Sequence, residues 1–126
     1  MSFSNFLETE ILDHVFGGAA YTAPATHYLA LFTATPGETG GGTEVTGGAY
    51  VRKAVAFTTT GNTTSNTAAV EYPTASANYG TVTSVGVFDA ATSGNLMAYA
   101  TLSSSKTIET GDVFRVPAAD LDITLD

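Results

Sequence analysis

The chain has 126 residues, enough for one domain with a single core and no metal or disulfide to staple it. Twelve acidic residues against four basic ones give a formal charge of −8, and the only adjacent cations are Arg52 and Lys53. A nucleic-acid surface needs clustered cations and is excluded, and the absence of Cys removes thiol chemistry, disulfides and thiolate metal sites.

Only 13% of residues are charged, against about a quarter in ordinary domains. Thr, with 22 copies, and Gly, with 13, take their place, a composition suited to β-strands and close contacts with neighbours. No apolar run approaches the length of a membrane span, so no membrane partner is expected. Met1 to Glu10 has no basic residue and carries Glu8 and Glu10, so it does not read as a secretory signal, and the chain is expected to fold in a cytoplasm.

One segment, residues 4–16, reads as a helix. Asn5 stands as the cap with Glu8 three residues on, a capping-box spacing. Phe3, Phe6, Leu7, Ile11, Val15 and Phe16 recur near every 3.6 residues, and Gly17-Gly18 ends the run. The apolar stripe is expected to be covered by the chain's own core.

Residues 26–126 read as strands and turns. Thr26–Thr33 is mostly apolar, as a strand buried on both faces is. Thr35–Gly48 is rich in Gly and reads as a loop. Ala49–Phe57 alternates as a strand does, and the polar tract Thr58–Asn66 reads as a second loop. Thr67–Tyr72 is a short strand stopped by Pro73. Thr81–Phe88 changes the face of its apolar residues after Val82, which calls for a bulge near Ser84. Asp89–Asn95 is a hairpin loop, Leu96–Leu102 returns from it, and Lys106–Glu109 continues. Val113–Val116 and Leu121–Leu125 close the chain. In the last run Leu121, Ile123 and Leu125 share one face, and Asp120, Asp122, Thr124 and Asp126 the other. Short strands about ten residues apart with turns between them specify an all-β chain, an antiparallel β-sandwich or jelly roll with one N-terminal helix, in a single domain over residues 1–126. Its core is expected from Phe6, Leu7, Ile11 and Val15 of the helix, and from Leu29, Leu31, Val85, Val87, Leu121 and Ile123 of the strands.

The sequence offers no reaction centre. His14 beside Asp13 and His27 at a strand start have no nucleophile spaced to join them, and no esterase elbow, zinc-protease run or Walker loop is present. Gly40-Gly41-Gly42 is not followed by a helix, so it is no phosphate cradle. Asp120, Asp122 and Asp126 lack the spacing of an EF-hand and read as a solvated strand face. Asn62-Thr63-Thr64 matches a glycosylation sequon without a secretory context. Tyr28, Tyr50, Tyr72, Tyr79 and Tyr99 read as core or interface residues rather than a sugar platform. No catalytic residue, metal or cofactor is expected.

The order of segments resembles a family of small tailed-phage and prophage virion proteins, commonly labelled tail-fibre or minor structural proteins. The resemblance rests on NFLETEILDHVFGG (Asn5–Gly18), YTAPAT (Tyr21–Thr26), LFTATPGE (Leu31–Glu38) and EVTGGAYVR (Glu44–Arg52). It continues through Tyr72–Met97 and Gly111–Asp126, and so covers nearly the whole chain. It implies a non-enzymatic virion protein, made in the bacterial host cytoplasm, that contacts the major capsid protein or tail proteins. A single compact acidic domain without heptads or repeats favours a capsid decoration or cement protein over a tail-fibre or baseplate component. The composition and the symmetry of shells favour a homo-oligomer, a trimer foremost. Contacts are expected in the two loops, at Pro36, Glu38, Glu44, Thr46, Asn62 and Asn66, because long connections carry function.

Overall fold

A computed structural model describes residues 1–125; Asp126, expected on the open face of the last strand, lies outside the described residues. The fold is all-β and antiparallel with one N-terminal helix. A short strand β1 (Ser2–Phe3) leads into helix α1 (Asn5–Val15). The cap is Ser4, not Asn5. Its Oγ accepts the Leu7 N–H at 3.3 Å and donates to the carbonyl of Leu96, which ties the helix start to the sheet. The far end closes at the expected glycines, where Gly18 takes a positive φ and the Ala19 N–H returns to the Asp13 carbonyl.

The main sheet is built on β2 (His27–Ala34), β8 (Gly80–Phe88) and β9 (Leu96–Ile108). β2 lies beside β8 and β8 beside β9, while β1 pairs with β9 over two residues only. Two short strands, β3 (Thr43–Glu44) and β4 (Lys53–Val55), share the other edge of β2. The register shifts between Val82 and Ser84, where the change of apolar face calls for a bulge. The two predicted runs after the hairpin are one strand, β9, of 13 residues.

The tract Thr58–Asn66 is not a loop. It forms a hairpin of β5 (Phe57–Thr60) and β6 (Thr63–Asn66) around Gly61, which takes a positive φ in the two-residue turn. Threonine is polar but β-branched, so the tract satisfies a strand while looking like a loop. The side chains of Thr59 and Thr64 bond across the pair at 3.0 Å. β11 (Asp122–Thr124) adds a third strand to this hairpin. The expected strands Thr67–Tyr72 and Val113–Val116 shrink to a two-residue ladder of β7 (Val70–Glu71) with β10 (Arg115–Val116).

One face of the main sheet carries Leu29, Leu31, Val85 and Val87, and packs with Val70, Tyr72, Phe114, Val116 and Leu121 into one core. The helix stripe does not join it. Leu7 is buried, Phe6 and Ile11 are half-buried, and Val15 is exposed. Ile123, expected in the core, is only half-buried, because β11 is the outermost strand of its sheet and pairs with no strand but β6 among the described residues. The interior is instead filled by aromatics. Tyr50 stacks on Tyr72 at 5.9 Å, and Tyr79 and Phe114 stand edge-on to that pair. The Tyr72 hydroxyl donates to the Leu29 carbonyl at 2.6 Å, so its polar end is satisfied inside.

The opposite face of the sheet carries Ala30, Phe32, Gly86 and Phe88. Gly86 leaves room there for its neighbours' side chains. A Cβ at that position would stand 2.8 Å from Leu96 Cδ1 and 3.0 Å from Phe32 Cε2. Gly86→Ala is therefore expected to cost about 1–3 kcal/mol through overpacking, read as a lower urea midpoint with an unchanged slope.

Candidate interaction surfaces

The expected contact residues separate into two groups. Most of them hold the fold together. Pro36 is buried. Gly42, in left-handed conformation, lets the chain turn back where a Cβ would stand 2.5 Å from the Ala34 carbonyl oxygen, and so allows Thr43 and Glu44 to pair with β2. Glu44 then receives Arg52 in a two-pronged pair, with Nη2 to Oε1 at 2.7 Å and Nε to Oε2 at 2.9 Å. The Tyr50 hydroxyl donates to the same Oε2 at 2.7 Å and accepts the Leu31 N–H at 3.1 Å. The remaining guanidinium nitrogen donates to the carbonyls of Ala90 and Ser93, which clamps the β8–β9 hairpin loop, and the guanidinium lies 3.7 Å over the Phe88 ring.

This cluster is electrostatically settled rather than poised for chemistry. Burial pushes the Glu44 carboxyl upward, but the hydrogen bonds from Arg52 and Tyr50 and the Arg52 charge outweigh it and hold the carboxyl below its usual range. Tyr50 is pushed well above the ordinary tyrosine range, first by burial and then by its bond to Glu44. A neutral phenol and a paired carboxylate do not exchange protons near neutral pH.

Asn66 is buried and spends its amide on four backbone groups. Asn62, at the hairpin turn, donates to the Leu125 carbonyl at 2.8 Å. Thr46 is exposed. Glu38 is exposed too, at the tip of a tight turn closed by Gly37 and Gly40, and its carboxylate accepts the Tyr99 hydroxyl at 2.6 Å. That bond, ahead of slight burial and the charges of Glu38 and Glu8, raises the Tyr99 pKa. The Glu38 turn, the start of α1 and the end of the β8–β9 loop surround a cleft of about 430 Å³ floored by Phe32 and Phe88.

Among the described residues neither histidine is hydrogen-bonded to a nucleophilic side chain. His14 Nδ1 accepts the Tyr21 N–H at 3.2 Å. His27 is half-buried and edge-on to Phe57, and its pKa is lowered by burial, against a smaller opposing pull from Asp89. Asp122 accepts a hydrogen bond from Ser65. Among the described residues no three His, Cys, Asp or Glu side chains gather to hold a metal. Among the described residues no helix is long and apolar enough to cross a membrane.

The surface that departs most from a closed fold is the outer half of α1. Leu12 is 58% exposed, Val15 60% and Phe16 82%. Periodicity marked Val15 and Phe16 as apolar stripe, but spacing alone cannot say what covers a stripe. Glu8, Glu10 and Asp13 lie on the same helix, so the apolar end is bordered by acid.

A family model described as podophage GP4 fiber I protein gp80 matches residues 2–124, and the chain belongs to that family. It is a phage virion structural protein, assembled in the host cell and in contact with other virion proteins. No curated protein matches the chain.

Proposed function

We propose that the chain is a non-catalytic component of the tail-fibre apparatus, docked on a neighbouring tail protein through the outer half of α1. The family membership supports a fibre role over the capsid-cement role that compactness and acidity suggest on their own. The observation that carries the docking is the exposed trio Leu12, Val15 and Phe16, an apolar end that costs solubility unless another protein covers it. The acidic border selects a partner whose groove is apolar in the centre and basic at the rim. The exposed Thr46 and the Glu38 turn remain available as further contacts, whereas Pro36, Glu44, Asn62 and Asn66 act by shaping the loops that present them.

The test is a count and a variant. In purified particles the protein should be present at tail stoichiometry, a few to a few dozen copies, and particles lacking it should adsorb poorly while their heads keep full resistance to heat. Hundreds of copies per particle, with heat-sensitive heads in their absence, would restore the cement reading. Phe16→Asp should leave the melting temperature of the free protein within about 2 °C, as surface substitutions do, yet remove the protein from particles.

A further inference from the structure

The longest strand of the sheet is open along one side. β1 covers β9 only at Ala98 and Tyr99, and from Ala100 to Thr107 no strand other than β8 pairs with it among the described residues, with residues 102–105 bulged out of that pairing. No backbone hydrogen bond from a loop fills the gap. Among the described residues β11 pairs with no strand but β6, and beyond that pairing only the Met1 ammonium reaches it, donating to the Asp122 carbonyl at 3.1 Å. Both strands border one groove of about 560 Å³, whose floor includes the core residues Ile108, Phe114 and Leu121. Unpaired strand edges beside an apolar floor form a template for another strand.

The charges of this groove differ from those of the rest of the molecule. β9 contains no acidic residue in a chain of net charge −8. Lys106 and Arg115, two of the four cations, line the groove together with Asp120 and Asp122. Neither cation is in an ion pair within the chain, where the single pair among the described residues is Arg52 with Glu44. A lysine on an open edge commonly wards off indiscriminate pairing. Here it shares its groove with two carboxylates, so the patch carries both signs and is complementary to itself. The acid-bordered end of α1 is not: two copies meeting there would set Glu10 and Asp13 against their own like.

We infer that the β9 edge and its groove are the surface on which a second copy of this chain docks, with Lys106 and Arg115 of each copy meeting Asp120 and Asp122 of the other. This rests on the assembly role proposed above and adds its self-contact. A self-complementary patch closes by a two-fold axis, which makes a dimer, in place of the three-fold assembly expected from composition, the repeating unit.

Sedimentation of the full chain tests this apart from the tail docking, because it needs no other virion protein. The wild type should sediment as a dimer that weakens with added salt. Lys106→Asp should raise the dimer dissociation constant at least about tenfold without changing the melting curve, and adding Asp120→Lys to it should restore much of the loss. A wild-type monomer at every loading concentration would overturn the inference, as would a dimer or trimer indifferent to the charge reversal. Phe16→Asp should leave the dimer intact, so failure of the tail docking and failure of the self-contact are distinguishable.

Discussion

Asn66→Ala should lower the stability of the fold by about 3 kcal/mol or more, a large part of the roughly 5–15 kcal/mol that holds a small domain. Asn66 is 2% exposed, at the end of β6. Its Nδ2 donates to the carbonyls of Ala68 and Pro117, both at 2.9 Å. Its Oδ1 accepts the N–H groups of Asp120 at 3.0 Å and Leu121 at 2.9 Å. One side chain therefore joins the chain leaving β6 to the approach to β11, beside the backbone bonds that Asn66 itself makes with Ala119 and Leu121. Alanine removes all four bonds, and each buried backbone group left unpaired costs about 1–3 kcal/mol, less where water reaches it. Asn66→Asp keeps the acceptor but turns the donor into a carboxylate facing two carbonyls, so it should fare little better than alanine. Urea unfolding of the three proteins decides the matter. An alanine variant within about 0.5 kcal/mol of the wild type would show that the bracket is dispensable.

Asn66 also shows where the sequence was legible and where it was not. Local pattern located β2, β8 and the hairpin loop between β8 and β9, because apolar strand residues and turn residues announce themselves within a few positions. The register shift between Val82 and Ser84 was readable for the same reason, from a change of face inside one strand, although the extra residues, 102–105, stand on β9 and not beside Ser84. Asn66 looked like a polar residue in a polar tract, since three of its four partners lie more than fifty positions away in sequence. Glu44 looked like a loop acid, and only the turn at Gly42 brings it to Arg52. Of the five tyrosines, Tyr50, Tyr72 and Tyr79 pack in the core, but nothing in their spacing foretold that they form one aromatic cluster. The helix is the converse case. Its period was correct, and its burial was not, because periodicity gives a face and says nothing of what meets it.

Arg52→Ala should be at least as damaging as the asparagine change, at about 3–5 kcal/mol, the usual cost of breaking a buried pair from one side. The Arg52 side chain is 8% exposed and the Glu44 side chain 24%. Without the guanidinium, Glu44 keeps only the Tyr50 hydroxyl, and the carbonyls of Ala90 and Ser93 lose their donor. Phe88 loses the cation over its ring, and the β8–β9 loop loses its anchor. Arg52→Lys should recover little, because a point charge cannot serve a carboxylate fork and two carbonyls at once. The pair also fixes a pH dependence. The Glu44 carboxyl is held below its ordinary range in the folded state, so its contribution is complete above the ordinary glutamate range. That contribution declines as pH falls through the folded-state value. At the alkaline end the sign reverses. Burial raises Tyr50 and Tyr72, so the unfolded chain loses those protons first, and stability should fall as pH climbs above the ordinary tyrosine range. Thermal melts of wild type and Arg52→Ala across the acid range should converge, the wild type losing more because only it has the pair to lose. Parallel curves, separated by the same interval at every pH, would assign the effect of Arg52 to packing on Phe88 and not to its charge.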